Sequence, residues 1–189
     1  MVWKNLHIYV EKKSKSKFSQ YFLSIIAFIE SIFFPIPPDL ILIPIVYFNP
    51  NKFLVTALNC TIFSVIGGAF GYFIGYFIFE AVQSYFDMSK QTEFINFYND
   101  WGIFAVFLGG FTPIPYKIIA LTSGYSQFNF IYFIFLSLLS RGLRFFIIAF
   151  IIKQFGDIGI QILKKNKLLI FVLIPIGIVF LTVSYTHLR

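Results

Sequence analysis

The sequence is poor in charge and in polar side chains. Only 12% of its 189 residues are charged, whereas 58% are hydrophobic and 22% are aromatic. A soluble domain of this size needs far more polar surface than such a chain can supply. The composition excludes a soluble globular domain, and the long apolar runs predict an all-α integral membrane protein.

Cysteine and histidine are nearly absent. The single cysteine, Cys60, excludes an intrachain disulfide and is expected to be a buried thiol because it lies in apolar sequence. His7 lies in a polar lead, and His187 lies in the tail 184–189, which resembles an adapter-derived ending and is assigned no role. No metal-ligand cluster, glycine-rich phosphate loop or nucleophile–base spacing is visible. We therefore expect no catalytic site, no metal and no cofactor, and hence no enzyme.

Acidic residues are also few. Asp and Glu number 8 against 15 Lys and Arg, which gives a net charge of +7. The excess does not predict nucleic-acid binding, because the lysines gather in the basic lead 1–17 and in short connections such as 153–167. This distribution is typical of cytoplasmic loops. We expect a multi-pass membrane protein with a cytoplasmic N-terminus.

Two proline-rich breaks interrupt apolar runs. Residues 35–39 read Pro-Ile-Pro-Pro-Asp, and residues 113–117 read Pro-Ile-Pro-Tyr-Lys. Proline has no N–H and disfavours helix in the residue before it, so each break ends a helix. We expect the breaks to form the tips of two hairpins. Their prolines are Pro35, Pro37, Pro38, Pro113 and Pro115.

The limbs beside these breaks are too short to cross a membrane. The limb 40–48 has nine residues, about 13 Å at the helical rise, whereas the hydrocarbon core is about 30 Å thick. We therefore expect 18–48 to enter and leave on one side as a re-entrant hairpin. The limbs 102–111 and 118–125 predict a second hairpin, which enters from outside beyond an acidic connection at 80–100.

Three apolar runs predict about three full transmembrane helices. The runs 53–79 and 129–152 are long enough to span, and 168–183 is a shorter final segment. The first run carries glycine every fourth residue, which favours close approach of another backbone. Glycine tolerated in a lipid-facing helix is the alternative. The glycines are Gly67, Gly71 and Gly75.

When the sequence is aligned with itself at a shift of 78 residues, the first proline-rich break falls on the second. The membrane domain 18–156 then divides into repeat one, 18–79, and repeat two, 102–152, each with the order limb, break, limb, turn and long span. An odd number of crossings separates the copies, so they are expected to be inverted. Inverted repeats with broken helices are a known transporter design. The shift makes Asp39 equivalent to Lys117.

Five ionisable residues lie in apolar sequence: Glu30, Asp39, Lys117, Arg141 and Arg144. Each costs about 2.5–3.5 kcal/mol at a helix centre and marks a transport path by default. The two arginines share a helix face at i, i+3 and need an anion, either a pair of carboxylates or a phosphate. The charges are therefore either a static polar lock between the hairpins or a polar cavity. In the cavity, the acids would couple to protons and the bases would bind an anionic headgroup.

These segments together resemble the DedA family, the bacterial branch of the SNARE-associated Golgi protein superfamily with its VTT domain, and especially its YqaA-like subgroup. The resemblance covers about residues 20–156. It is carried by the following pieces: Phe28-Ile29-Glu30 with the first break; Gly67-Gly68 with Gly71, Tyr72, Gly75 and Tyr76; Phe111-Thr112 with the second break and Gly124; and Arg141-Gly142-Leu143-Arg144-Phe145-Phe146.

The resemblance implies two facing re-entrant hairpins and a role in lipid translocation, as a flippase or scramblase linked to the proton-motive force. It implies functional acids at Glu30 and Asp39 and a basic site at Lys117. The chain departs from many relatives at Gly110, where they carry Arg, and at Lys117, which replaces Arg. The carrier-lipid substrate of the best-known relatives therefore does not transfer directly.

The leading hypothesis is a transporter of an anionic lipid headgroup, either a phospholipid or a polyprenyl phosphate, coupled to protons. A proton-coupled antiporter of ions or small solutes would use the same cavity, and a non-transporting membrane scaffold would use the charges only as a lock. Membrane lipids and protons are the expected partners, nucleic acid is not, and a homo-oligomer is left open.

Overall fold

The computed structural model describes residues 13–16, 18–33, 37–82, 88–112 and 115–165. These residues are helical almost throughout, and no strand occurs among them. Six α-helices of ten or more residues carry the fold: α1 (Phe18–Ile32), α2 (Asp39–Phe48), α3 (Phe53–Val82), α4 (Met88–Phe111), α5 (Tyr116–Tyr125) and α6 (Phe130–Lys165).

Two stretches of helix are long and apolar enough to cross a membrane, judged by length and composition. Pro50–Ala81 has 32 residues with a mean hydropathy of 1.8, and Phe130–Ile158 has 29 residues with a mean hydropathy of 2.0. They fall on the predicted spans 53–79 and 129–152. The third predicted span, 168–183, lies outside the described residues, as do the tail 184–189 and most of the lead.

The helices stop where the proline breaks predict. In the first repeat α1 ends at Ile32, and α2 begins at Asp39 directly after Pro38. In the second repeat α4 ends at Phe111, and α5 begins at Tyr116 after Pro115, whose φ of −60° and ψ of 106° are extended. The centres of both tips, including Pro35 and Pro113, lie outside the described residues, whereas Pro37 and Pro38 lie just before α2.

Two helices are longer than the sequence indicates. The acidic connection predicted at 80–100 is mostly helix, because no glycine or proline interrupts α4 before Gly102. The basic connection predicted at 153–167 continues α6 as far as Lys165. Its backbone departs from helical geometry at Gly156, where φ is 51° and ψ is −119°. Such a positive φ suits glycine, which has no Cβ to clash.

Helix α3 packs against both hairpins, and its glycines explain how the helices can approach so closely. A Cβ on Gly67 would overlap the carbonyl oxygen of Phe28 on α1, and a Cβ on Gly75 would overlap the carbonyl of Leu121 on α5. A Cβ on Gly71 would lie 3.1 Å from Ala120 Cβ on α5 and 3.5 Å from the Ser31 carbonyl oxygen on α1. The stripe therefore lets two helix backbones lie against α3 at successive turns.

The interior is divided into two apolar clusters, and the exterior is strongly apolar. Leu23, Leu42 and Phe145 lie in the first cluster with the buried Cys60, whereas Tyr116 belongs to the second. Many large apolar side chains point outward, and those with the greatest exposure include Phe18 (78%) and Ile131 (76%). An apolar exterior of this extent is unusual for a soluble monomer and is what a lipid-facing surface requires.

Candidate functional site: a buried cluster of ion pairs

Four of the five predicted charged residues form two buried ion pairs. Glu30 Oε2 on α1 lies 3.1 Å from Arg141 Nη2 on α6, with 14% and 3% of the side chains exposed. Asp39 Oδ2, at the start of α2, pairs with Arg144 Nη2, and both side chains are less than a tenth exposed. The two pairs therefore join α1 and α2 to α6.

The local sequence explains why the two ion pairs form next to each other. Arg141 and Arg144 are three residues apart on α6, so they project from neighbouring turns of one face. Glu30 is near the end of α1 and Asp39 is at the beginning of α2, so the proline break places both acids near the same tip. Asp39 is also favoured by the positive end of the α2 dipole. The anion that the two arginines meet is thus a pair of carboxylates.

Arg144 bonds to both breaks at once. Besides its ion pair with Asp39, its Nη1 donates to the Thr112 carbonyl oxygen at 2.7 Å, just beyond the end of α4. The last carbonyls of a helix have no partner within the helix, and they carry the negative end of its dipole. A guanidinium satisfies one of these acceptors and compensates the partial charge.

Lys117 lies apart from the two pairs and forms an analogous contact. Its Nζ donates to the carbonyl oxygen of Phe33, just beyond the end of α1, at 3.2 Å. None of the acids among the described residues forms an ion pair with it. Asp39 and Lys117, which the shift of 78 residues makes equivalent, are not partners. The carbonyl oxygens just beyond α1 and α4 instead each accept from a cation, Lys117 and Arg144 respectively.

Tyr116 contacts the cluster from the second hairpin. The Arg141 guanidinium carbon lies 4.4 Å from the centre of the Tyr116 ring, within the range of a cation–π interaction. The Tyr116 hydroxyl donates to Ser137 Oγ at 2.6 Å and the ring packs against Gly68, where any Cβ would overlap it. The guanidinium of Arg141 thus contacts the Tyr116 ring as well as the Glu30 carboxylate.

A serine pair lies beside Glu30. Ser31 Oγ is 2.7 Å from Ser64 Oγ on α3 and 3.4 Å from Glu30 Oε2. Both serines are buried, and they connect the acid to the central helix.

Several buried polar atoms of the cluster have no hydrogen-bond partner among the described residues. They are Asp39 Oδ1, Thr112 Oγ1 and Arg141 Nε. A buried polar atom without a partner costs about 1–3 kcal/mol, so these positions are expected to bond water, a ligand or the neighbouring tip residues. In the part of the chain that the structure describes, no group of three His, Cys, Asp or Glu could hold a metal ion.

Sequence reasoning missed Tyr116, Thr112, Ser31 and Ser64 as members of the cluster. Tyr116 precedes Lys117 in the second break. Its polar hydroxyl inside apolar sequence was the only signal that it belongs to a buried polar site. Thr112 contributes its backbone carbonyl, which carries no residue-specific signal. Gly110 lies against α6, where a Cβ would overlap Ser140 Oγ and lie 3.4 Å from Arg141 Cγ. A larger residue at position 110 would therefore displace the arginine.

Comparisons with known proteins agree with this architecture. The VTT domain family matches residues 34–154. A protein of Haemophilus influenzae is 36% identical over 157 residues, which are 81% of this chain and 82% of that protein. A protein of Histophilus somni is 37% identical over 137 residues, 70% and 72% of the two chains. A protein of Methanocaldococcus jannaschii is 27% identical over 133 residues, 69% and 82% of the two chains.

All three relatives are described as uncharacterized proteins, so they indicate ancestry and no activity. No solved structure matches the chain significantly. The domain match covers both breaks, the glycine stripe and the two arginines of α6. Phe28-Ile29-Glu30, which also carried the resemblance, lies just before the matched residues. The chain is a helical membrane protein that belongs to the VTT-domain family, the family of the DedA and SNARE-associated Golgi proteins.

Proposed function

We propose that this protein translocates the headgroup of an anionic lipid across the bacterial inner membrane. The observation that supports this proposal is that two ion pairs, Glu30 with Arg141 and Asp39 with Arg144, lie inside an apolar bundle. Both acids are near the proline break that separates α1 from α2. Charges held in such a place are costly and are usual along transport paths. Arginine forks fit phosphate oxygens as well as carboxylates.

The proposal places the two breaks in the middle of the membrane as tips of inverted re-entrant hairpins. Helices α2 and α5 have 10 residues each, which span about 15 Å and cannot cross a core of about 30 Å. Their partners in the hairpins, α1 and α4, end at the same two breaks. Non-helical backbone at this depth is tolerated where protein or a polar cavity satisfies it.

The headgroup binds by exchange of anions at the arginines. Protonation of Asp39 removes its negative charge. Its Oδ1, which has no hydrogen-bond partner among the described residues, is a site for the proton. Arg144 then needs another anion, and a lipid phosphate supplies it. Lys117, whose Nζ donates to the Phe33 carbonyl oxygen in the ion-paired state, provides a second cation for the phosphate.

Deprotonation of Asp39 reverses the exchange and releases the phosphate. If Asp39 and Glu30 take their protons from one side of the membrane and lose them to the other, a pH gradient gives the transport its direction. Without a gradient the same exchange would scramble lipid between the leaflets.

The test is translocation of fluorescent or short-chain anionic phospholipid in vesicles, with and without a pH gradient. We expect Asp39→Asn and Lys117→Ala to abolish headgroup movement while the protein remains folded and inserted. Lys153→Gln, which removes a lysine from the far part of α6, should transport normally. Normal transport by both site variants would refute the exchange mechanism. Movement of cations without lipid would indicate the antiporter.

A non-transporting scaffold is the second candidate, because the same ion pairs could serve only to hold the first hairpin against α6. The swap Asp39→Arg with Arg144→Asp separates the two. A lock needs only opposite charges, so the swapped protein would keep both its stability and its cellular function. The exchange mechanism requires an acid on the hairpin, so the swap should restore stability relative to each single variant and leave transport lost.

A further inference from the structure

Two cavities adjoin the short segment 13–16, and both are also lined by residues of α1 and α2. They share four lining residues, Ser14, Ser16, Ser19 and Ile45, so they form neighbouring compartments around one strip of chain. Their volumes are about 480 and 560 Å³, each within the range of about 300–1,000 Å³ usual for small-molecule sites.

The larger compartment is an apolar groove between α1 and α2. Phe18, Phe22, Leu40, Ile41 and Pro44 line it, with Lys13 among its polar residues. Phe18 is 78% exposed, Leu40 is 60% exposed and Phe22 is 56% exposed. The groove therefore opens on the apolar outer surface of the hairpin and suits a hydrocarbon chain.

The smaller compartment is polar and basic. Lys15, Lys52, Asn49 and Asn59 are among its lining residues, with Gln20 between α1 and α3. Gln20 donates to Thr56 Oγ1 at 2.8 Å and accepts from Asn59 Nδ2 at 3.2 Å, so the inner wall is held by side-chain hydrogen bonds. Asn49 Nδ2 donates to the Ser14 carbonyl oxygen at 3.1 Å and ties the segment 13–16 to the end of α2.

We propose that these joined compartments bind one anionic phospholipid, with its phosphate beside Lys15 and Lys52 and an acyl chain in the groove. An apolar slot that opens sideways and a basic pocket next to it match the two ends of a lipid. The positive charge favours an anionic headgroup over a zwitterionic one. The four ion-paired residues are not among those that line the two cavities, and the site rests on the proposed function only for the placement of α1 and α2 in the bilayer.

Quenching of tryptophan by lipids with brominated acyl chains tests this site directly. A reporter, Phe22→Trp, is placed in the groove of a full-length protein in which Trp3→Phe and Trp101→Phe remove the native signals. Brominated phosphatidylglycerol and brominated phosphatidylcholine are then compared in nanodiscs of phosphatidylcholine. The control reporter is Ile131→Trp, at a lipid-exposed position on α6.

We expect the groove reporter to be quenched by phosphatidylglycerol at a clearly lower mole fraction than by phosphatidylcholine. A lysine near an anionic headgroup contributes about fivefold to the preference, so Lys15→Gln and Lys52→Gln together should bring the ratio to about one. The control reporter should respond equally to both lipids.

Four results would overturn the site. The first three are equal quenching by the two lipids at the groove reporter, a preference for phosphatidylglycerol of the same size at the control reporter, and a preference that survives the loss of both lysines. Quenching by neither lipid would mean that the chain itself fills the groove, which also overturns it. Asp39→Asn keeps this binding while losing transport, so failure of the site and failure of the proposed function are told apart.

Discussion

At the scale of single residues, the cluster depends on charges that are compensated in pairs. A buried ion pair adds little net stability compared with apolar residues of similar size, because both charges lose their hydration. Removing one partner is far more costly, because the other charge is then left buried without compensation. The pairs are therefore better suited to a switch between partners than to stabilising the fold.

The Asp39–Arg144 pair makes this measurable. Arg144→Gln leaves the Asp39 carboxylate buried without its partner, so we expect a loss of about 3–5 kcal/mol in the free energy of unfolding. Adding Asp39→Asn should restore most of that loss, since the double variant has no buried charge at this point. Titration with a denaturing detergent in micelles measures both values.

The control for this pair is Leu143→Ala, one residue away on α6. The Leu143 side chain is exposed on the surface of α6, so we expect a change below about 0.5 kcal/mol. Additive losses in the double variant would mean that the two charges do not stabilise one another.

At the scale of helices, the glycines of α3 set the distance between the central span and both hairpins. Tyr116 shows the effect of this distance. Because Gly68 has no side chain, the Tyr116 ring fits between α3 and Arg141. The packing of α3 thus positions a side chain of the charged cluster. A change in the stripe is expected to alter the site as well as the stability.

Two glycine-to-alanine changes compare a crowded helix contact with an open one. Gly75→Ala should destabilise by more than about 1 kcal/mol, because the new methyl overlaps the Leu121 carbonyl and α5 must move. Gly142→Ala meets only Thr61 Cγ2 at 3.6 Å, so it should be neutral or stabilise by about 0.5–1 kcal/mol through helix propensity.

Thermal unfolding in micelles ranks these two variants. Equal effects of the two substitutions would show that close packing at Gly75 is unimportant.

At the scale of the whole molecule, the order of helices and breaks predicts which loops share a side of the membrane. If both hairpins are re-entrant, Ser16 and Asn51 lie on the cytoplasmic side although α1 and α2 separate them. Gln127, between α5 and α6, lies outside, and Gln154 lies inside.

Cysteine substitution at these four positions, in a Cys60→Ser background, checks the arrangement with an impermeant thiol reagent. In intact spheroplasts only Gln127→Cys should react, and the other three should react after lysis. Reaction of Ser16→Cys and Asn51→Cys from opposite sides would mean that the first hairpin crosses the membrane.

The sequence predicted the helix limits near the breaks well, because proline acts on its immediate neighbours. Helix α1 ends at Ile32 and α5 begins at Tyr116, each within two residues of its predicted limit. The shared face of Arg141 and Arg144 followed equally from helical periodicity. These features depend only on local chain geometry.

The pairing of the charges could not be predicted in the same way. Which acid pairs with which arginine depends on how α6 crosses the first hairpin. Lys117 donates to a backbone carbonyl oxygen, and such an acceptor has no residue-specific signal in the sequence. The helix through 88–100 was missed because its polar residues give no spanning signal, although nothing in them breaks a helix.

Arg144 contacts Asp39 from the first repeat and Thr112 from the second. If residues 18–79 and 102–152 are inverted copies of one unit, their separate divergence is limited at this residue, because a replacement of Arg144 alters its contacts with both. We then expect an accepted change at position 144 to appear together with a change in each of the two segments.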